Sequence, residues 1–152
     1  MRETPTWRIP VGVLALCAAL LVYAILIALG WTWYLLSHHE TVRQCLHTEI
    51  DRVLNGRTPT VADLPRLGYV ERVVKESMRL YPPAWVISRC AVEDDIIGGC
   101  RIPAGSIVLV SPYVTHRRPR FWANPEGFDP SCFETAREAD RPPFSYFPFG
   151  GG

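Results

Sequence analysis

Residues 71–89 read ERVVKESMRLYPPAWVISR and contain the end of a predicted helix. Apolar residues recur with a helical period up to Leu80, and Pro82-Pro83 ends the helix because proline lacks an amide donor and clashes with the preceding turn. Glu76 and Arg79 are separated by one helical turn, so their side chains share one face of the helix. On a solvated face such a pair contributes only about 0.2 to 0.5 kcal/mol, so its role depends on the rest of the chain.

The composition of the whole chain is that of a globular protein. Its 152 residues are 20% charged and 48% hydrophobic, which excludes disorder as the main state. The net charge of +1 gives no electrostatic basis for binding a polyanion, so we expect no nucleic-acid partner. The cysteines form no CxxC motif and are odd in number, which argues against a disulfide framework and favours a reducing compartment. They are Cys17, Cys45, Cys90, Cys100 and Cys132.

An uncharged, largely apolar stretch, residues 9–37, stands near the start of the sequence. It exceeds the roughly 20 residues that cross a bilayer, and Trp31, Trp33 and Tyr34 lie at its far end, where aromatic side chains favour the membrane interface. We therefore predict that residues 1–37 form an apolar helix and a single N-terminal membrane span, with the remainder on the cytoplasmic or reducing side. One alternative is a buried core helix of a cytoplasmic protein. A cleaved signal peptide is less favoured, because the apolar part is too long.

The residues after this stretch predict shorter elements. Val42 and Leu46 begin a helical stripe that predicts a helix over 41–54, and a second helix is expected over 66–80. Runs of β-branched residues predict strands, and prolines after His116 leave little room for regular structure. The strands are expected at 85–92, 96–97, 101–102 and 107–110. The predicted fold class is α+β and mainly α, with an N-terminal apolar helix, two further helices and short β-strands. The proline-rich segment that follows, from His116 onward, is predicted to be irregular and is called the meander below.

Three runs of sequence, taken in order, resemble one protein family. They are ERVVKESMRLYPPAWVISR at 71–89, GGCRIPAGSIVLVSPYVTHRRPRFWANPEGFDPSCF at 98–133 and FPFGGG at 147–152. Together they resemble the C-terminal part of the cytochrome P450 family, the haem-thiolate monooxygenases. The resemblance begins near Leu29, where the apolar helix is similar to the end of the family's central helix. Residues 38–152 are therefore expected to form a partial cytochrome P450 C-terminal region.

The resemblance gives Glu76 and Arg79 a structural role. In the family this ExxR pair is buried beneath the haem and ties its helix to the meander that precedes the haem loop. A third partner comes from the arginine of a PERF-like motif. This chain reads Pro125-Glu126-Gly127-Phe128, with Gly127 in place of the arginine. We therefore expect the pair to be partly solvated here and to contribute little to stability.

Other residues acquire roles only through the resemblance. Arg89 matches an arginine that pairs with a haem propionate, and Phe149 and Gly152 match the first and fourth positions of the haem loop. The iron-ligating cysteine would fall four places after Gly152, and none of the cysteines in the sequence has a comparable context. The segment that would line the substrate pocket comprises Trp85, Val86, Ile87 and Ser88.

The family's activity is haem-dependent insertion of one oxygen atom from dioxygen into an apolar organic substrate, with electrons from a reductase. The chain lacks the axial cysteine, and residues 22–30 lack the acid and threonine of the family's central helix. We therefore expect an incomplete, inactive fragment, with no catalytic or metal-ligating residue to assign. The alternative is a non-catalytic, membrane-anchored remnant with no cofactor.

An expectation about packing follows from the short length of the resemblance. Apolar side chains on the second helix and the next strand are expected to lack partners, so that residues 38–152 form local helices without a cooperative unfolding transition. The side chains concerned are Val70, Val73, Val74, Trp85, Val86 and Ile87.

Overall fold

The computed structural model describes residues 10–151 of the chain. The α-helices in this part are α1 (Val11–His38), α2 (Glu40–Leu54), α3 (Gly68–Leu80), α4 (Pro112–Thr115) and α5 (Thr135–Ala139). The strands are β1 (Ile87–Cys90), β2 (Asp95–Ile97), β3 (Cys100–Ile102) and β4 (Ile107–Val110). Two 3-10 helices cover Val61–Arg66 and Pro130–Phe133. The predicted α+β, mainly α, class is confirmed.

Helix α1 is exposed over its N-terminal part and packed at its C-terminal end. Residues 11–23 are exposed on every side, and partial burial begins at Ala24. Further along, Leu35 and Leu36 are buried in one cluster with Val73 of α3. Among the described residues, α1 is the one helix long and apolar enough to cross a membrane, and its apolar window is not buried by the rest of the fold.

Helix α3 begins where a carboxylate satisfies its free amides. Glu49 of α2 accepts hydrogen bonds from the Tyr69 amide at 2.9 and 3.0 Å and from the Val70 amide at 2.9 Å. The first amides of a helix lack intrahelical partners and its N-terminus favours negative charge, so this contact fixes α3 against α2. The two helices predicted after the apolar stretch are confirmed as α2 and α3, although α3 begins at Gly68 rather than at residue 66.

The strands form two separate two-stranded sheets. Strand β1 pairs antiparallel with β4, with Ile87 opposite Val110, and β2 pairs antiparallel with β3. Gly98 and Gly99 connect β2 to β3 with φ values of 58° and 83°, a region that favours glycine because a Cβ is disfavoured there. The predicted strands are confirmed, although β1 covers only 87–90 of the predicted 85–92.

The packing of α3 corrects the expectation that its apolar face lacks partners. Val73 is only 1% exposed, and Val70 packs against the buried cluster that α2 forms with Leu67. The reason is that α1 and α2 together supply the partner surface. Trp85, by contrast, is 65% exposed, as expected. The remaining three side chains, Val74, Val86 and Ile87, are half-buried.

Candidate functional site

Glu76 and Arg79 form a fully buried ion pair on α3. The Arg79 Nε donates to Glu76 Oε2 at 2.6 Å, and Arg79 Nη2 donates to Glu76 Oε1 at 2.8 Å. Glu76 is 0% exposed and Arg79 is 1% exposed. The expectation of a partly solvated pair is therefore wrong. Such a two-bond contact between a guanidinium and a carboxylate is both strong and directional.

The remaining donors of Arg79 bind backbone oxygens of the meander. Arg79 Nη1 donates to the carbonyls of His116 at 2.9 Å and Pro125 at 2.7 Å, and Nη2 donates to the carbonyl of Gly127 at 2.8 Å. A guanidinium has five N–H donors, and every one of them is used here. Because these carbonyls lie 37 to 48 residues away in sequence, Arg79 ties α3 to the meander.

Gly127 contacts the ion pair through its backbone carbonyl. A Cβ at this position would lie 1.9 Å from Nδ2 of Asn124, so a larger residue here would have to displace the Asn124 side chain. The Asn124 side chain in turn accepts a hydrogen bond from the Gly127 amide at 3.1 Å. Position 127 thus contacts the ion pair through its carbonyl, which accepts from Arg79.

The side chain that does reach Glu76 from the meander is Cys132. Its Sγ lies 3.1 Å from Glu76 Oε2, and the Asp129 amide donates to Glu76 Oε1 at 2.9 Å. Cys132 occupies the third place of a second Pro-x-x-Phe run, Pro130–Phe133. The assignment of the third partner to position 127 is thus corrected to Cys132, because two neighbouring Pro-x-x-Phe runs fit the motif and only the side chain from the second contacts Glu76.

Cys132 acts as a neutral hydrogen-bond donor. Burial, followed by the negative charge of Glu76, raises the pKa of the Cys132 thiol well above its usual range. The thiol therefore stays protonated at neutral pH and can donate to the carboxylate.

Replacing Cys132 with alanine should lower the free energy of unfolding by about 1 to 2 kcal/mol, because Glu76 loses one donor in a buried site. Cys132→Ser keeps a donor of similar size and should lose less. Urea unfolding of the full chain in detergent micelles, followed by tryptophan fluorescence, measures both changes. Equal losses for alanine and serine would mean that the thiol hydrogen bond contributes nothing.

Aromatic and cationic side chains surround the ion pair. The Arg79 guanidinium carbon lies 4.9 Å from the centre of the Trp122 ring, and that of Arg141 lies 4.0 Å from it. Arg141 also donates to the Cys132 carbonyl and lies over the Phe133 ring. Trp122 is 3% exposed, so these contacts are shielded from water and favour the cations more than surface contacts would.

His116 connects this network to the segment that resembles the haem loop. Its ring is fully buried, and its Nε2 accepts a hydrogen bond from the Phe147 amide at 2.9 Å. Beside it, the Tyr146 hydroxyl donates to the Lys75 carbonyl of α3 at 3.1 Å. Burial, then the charges of Arg79 and of Arg117, lower the pKa of His116 to about 4, so the ring is neutral and Nε2 is free to accept.

The other residues assigned through the resemblance lie apart from this network. Arg89 is exposed, and its Nη1 donates to the neighbouring Ser88 carbonyl at 3.0 Å. It forms no ion pair with any residue in 10–151. Phe149 is 63% exposed, and Gly152 lies outside the described residues. Of the four predicted substrate-pocket residues, Trp85 lines an apolar groove, whereas Val86 and Ile87 are half-buried and Ser88 is exposed.

That groove lies between α1 and the segment that follows α3, and its volume is about 490 Å³. From α1 it is lined by Tyr23, Ile27 and Trp31, and from the opposite side by residues that include Trp85 and Tyr113. Two of its lining residues, Trp31 and Tyr81, stack with their ring centres 3.9 Å apart. The groove is therefore an aromatic, mainly apolar surface rather than a site for charged groups.

The residues present do not complete a haem-thiolate site. Cys132 is a half-buried thiol whose proton is directed at Glu76, and Cys17, Cys45, Cys90 and Cys100 are exposed on α1, α2, β1 and β3. A thiolate is the axial ligand that this chemistry needs, and no cysteine stands in the loop at 147–152. Within residues 10–151, no three His, Cys, Asp or Glu side chains lie together as candidate metal ligands.

Comparison with known proteins places this network in a family. The sequence profile described as Cytochrome P450 matches residues 25–152. The chain is 48% identical over 127 residues to cyclooctatin synthase of Streptomyces melanosporofaciens, with 82% of this chain and 27% of that protein covered. It is 40% identical to cyclooctat-9-en-7-ol 5-monooxygenase of the same organism, with 82% and 27% covered. It is 37% identical to cytochrome P450 4V2 of Homo sapiens, with 82% and 24% covered.

The matched region begins inside α1 and includes the whole of the buried network, from α3 to the Phe147 segment. The chain spans about a quarter of the length of these relatives. The profile match and the identities agree with the buried ExxR pair, and the chain belongs to the cytochrome P450 family.

Proposed function

We propose that these residues form the structural core beneath the haem of a P450-type monooxygenase. The observation that carries this proposal is the buried Glu76–Arg79 pair, in which every donor of Arg79 is used to hold the meander against α3. The reaction proposed for the whole protein is haem-dependent insertion of one oxygen atom from dioxygen into an apolar organic substrate. A reductase would supply the electrons.

Residues 1–152 alone are proposed to be inactive. The haem would supply dioxygen activation, but none of the cysteines in these residues is placed to ligate its iron. Residues 22–30 also hold no carboxylic acid and no threonine that could handle protons. Arg89 remains the proposed partner of a haem propionate, and the residues 85–88 remain the proposed substrate contact.

Haemin mixed with the polypeptide of residues 1–152, reduced and exposed to carbon monoxide, should give no stable red-shifted Soret band of the thiolate type. The reason is that sulfur ligation needs a positioned thiolate, and Cys132 is held as a thiol. A stable band of that type would contradict the proposed inactivity. In a polypeptide of the relatives' full length that also carries a haem-loop cysteine, the same assay should give the band, and its absence there would contradict the monooxygenase proposal.

The second candidate function is a non-catalytic, membrane-anchored protein without a cofactor. The observation that favours it is α1, whose apolar window is not buried by the described fold. An apolar helix exposed to water would exceed the few hundred Å² of apolar patch that soluble monomers tolerate. Membrane anchoring through α1 is therefore proposed under both functions, and flotation of the chain with phospholipid vesicles tests it.

A further inference from the structure

The end of α3 leaves backbone carbonyls that the helix itself cannot pair. In an α-helix each carbonyl accepts a hydrogen bond from the amide four residues later. For Met78 and Arg79 those residues are Pro82 and Pro83, which have no N–H. Arg79 is only 1% exposed, so bulk water does not solvate its carbonyl either. Buried carbonyls are nearly always paired in native proteins, so this helix end needs a donor from another part of the chain.

The ring of His116 carries a buried donor beside these carbonyls. Its Nε2 accepts from the Phe147 amide at 2.9 Å, so in the neutral ring the proton must lie on Nδ1. Within residues 10–151, Nδ1 is buried and has no well-aligned acceptor. Burial is the larger influence on the pKa of this ring and lowers it, but the carbonyls of Arg79 and Met78 lie near enough to oppose that change. A donor without an acceptor is therefore placed beside two acceptors without a donor.

Residues 142–151 are joined to the rest of the fold by few polar contacts. In the described part of the chain, two hydrogen bonds connect this segment to earlier elements. One runs from the Phe147 amide to His116, and the other runs from the Tyr146 hydroxyl to the Lys75 carbonyl. The Tyr146 ring also stacks on the His116 ring, with the ring centres 5.2 Å apart. The position of the segment therefore depends strongly on His116.

A second proton on the His116 ring would break this arrangement. It would place an Nε2–H opposite the Phe147 amide, so that two donors would face each other across 2.9 Å. Burial, and then the positive charges of Arg79 and Arg117, disfavour the doubly protonated ring. Two carboxylates and a phenol belong to the same surroundings, but the carboxylates pair with these two arginines, and the phenol stays neutral because burial raises its pKa. They are Glu76, Glu126 and Tyr146.

We propose that His116 is the positioning residue that seats residues 142–151 on α3. Its Nδ1–H donates to the carbonyls of Met78 and Arg79 at the double-proline end of the helix, while Nε2 accepts from the Phe147 amide. A proton on Nε2 turns that acceptor into a donor, so the segment opens while α3 stays folded. This bridge needs no haem. The inference rests on the proposed function only in that residues 147–152 resemble the haem loop, whose position His116 would set.

Ring ¹⁵N NMR of the full chain, labelled at histidine and held in detergent micelles at pH 7, tests the bridge without any substitution in the protein measured. We expect the proton of His116 on Nδ1 and none on Nε2, with the ring of the exposed His47 in the same spectrum as the reference. The spectrum of His116→Gln assigns the signals. A proton on Nε2, or a ring that exchanges between the two tautomers, would overturn the proposal.

Hydrogen exchange at the Phe147 amide tests the opening of the segment. Between pH 7 and pH 4 its protection, relative to the rate of an unstructured peptide, should fall roughly 100-fold, because the ring binds a proton more tightly once the segment opens. His116→Gln keeps an acceptor near the place of Nε2 and should show no such fall. His116→Asn, whose shorter amide lies near the place of Nδ1, should lose the protection at every pH.

Two results would contradict the proposed opening. One is the same pH profile of Phe147 protection in the wild type and in His116→Gln. The other is a loss of protection at Phe147 and at the Ser77 amide of α3 to the same level, which would mean that the proton acts on the whole fold. Neither measurement involves haem, so failure of the bridge and failure of the proposed function are distinguishable.

Discussion

Replacing Arg79 with leucine should destabilise the folded region by about 3 to 5 kcal/mol, the usual cost of breaking a buried ion pair by removing one partner. Leucine would leave the Glu76 carboxylate buried beside an apolar side chain. It would also leave the carbonyls of His116, Pro125 and Gly127 without their donor. Urea unfolding of the full chain in micelles, followed by tryptophan fluorescence, measures the loss.

Arg72→Leu is the matched control on the same helix. Arg72 pairs with Glu134 at 3.1 Å, but the Glu134 side chain is half exposed, so the pair is screened by water. Its removal should cost no more than about 1 kcal/mol. Equal losses for Arg72→Leu and Arg79→Leu would mean that the buried pair does not hold the meander to α3.

The second large effect is on the pH dependence of stability. The pKa of His116 is lowered to about 4 in the folded chain, against about 6.5 for an unperturbed histidine. As pH falls, His116 therefore takes up a proton at a higher pH in the unfolded chain than in the folded chain. Its contribution to the free energy of unfolding is fully present above pH 6.5. It should decline by about 3 kcal/mol between about pH 6.5 and pH 4.

His116→Gln isolates this effect. An amide oxygen at this position can still accept from the Phe147 amide, but it does not titrate. As pH falls from about 6.5 to about 4, the free energy of unfolding of the wild type should decrease steadily relative to that of His116→Gln. His47→Gln, at an exposed position on α2, should follow the wild type at every pH. A wild-type curve parallel to that of His116→Gln would mean that His116 titrates normally.

The helices and the ion pair could be predicted from sequence because their signals are local. The stripe in α2, the double proline after α3 and the ExxR spacing each depend on a few neighbouring residues, and the structure follows them closely. The boundary between the exposed and the packed part of α1 could not be predicted. The helix is apolar on every face, so its sequence has no stripe that marks where packing begins. The structure places that beginning at Ala24.

The partners of the ion pair could not be predicted, because they come from across the chain. Cys132 contacts Glu76 from 56 residues away in sequence. Two Pro-x-x-Phe runs fit the motif that supplies this partner, so the sequence alone does not identify the right one. The His116 carbonyl accepts from Arg79 and its ring Nε2 accepts from the Phe147 amide, and no sequence pattern indicates either contact. The expected lack of a cooperative unfolding transition in residues 38–152 rested partly on a solvated pair, and it stays a prediction.

The most direct test of the buried network is hydrogen exchange at the Asp129 amide, which donates to Glu76 Oε1 across the gap between the meander and α3. In the full chain we predict that this amide is protected to nearly the same degree as the Ser77 amide within α3, and that Arg79→Leu removes the protection of Asp129 first. Exchange of the Asp129 amide at the rate of an unstructured peptide, with Ser77 still protected, would contradict the claim that Glu76 and Arg79 join α3 and the meander into one unit.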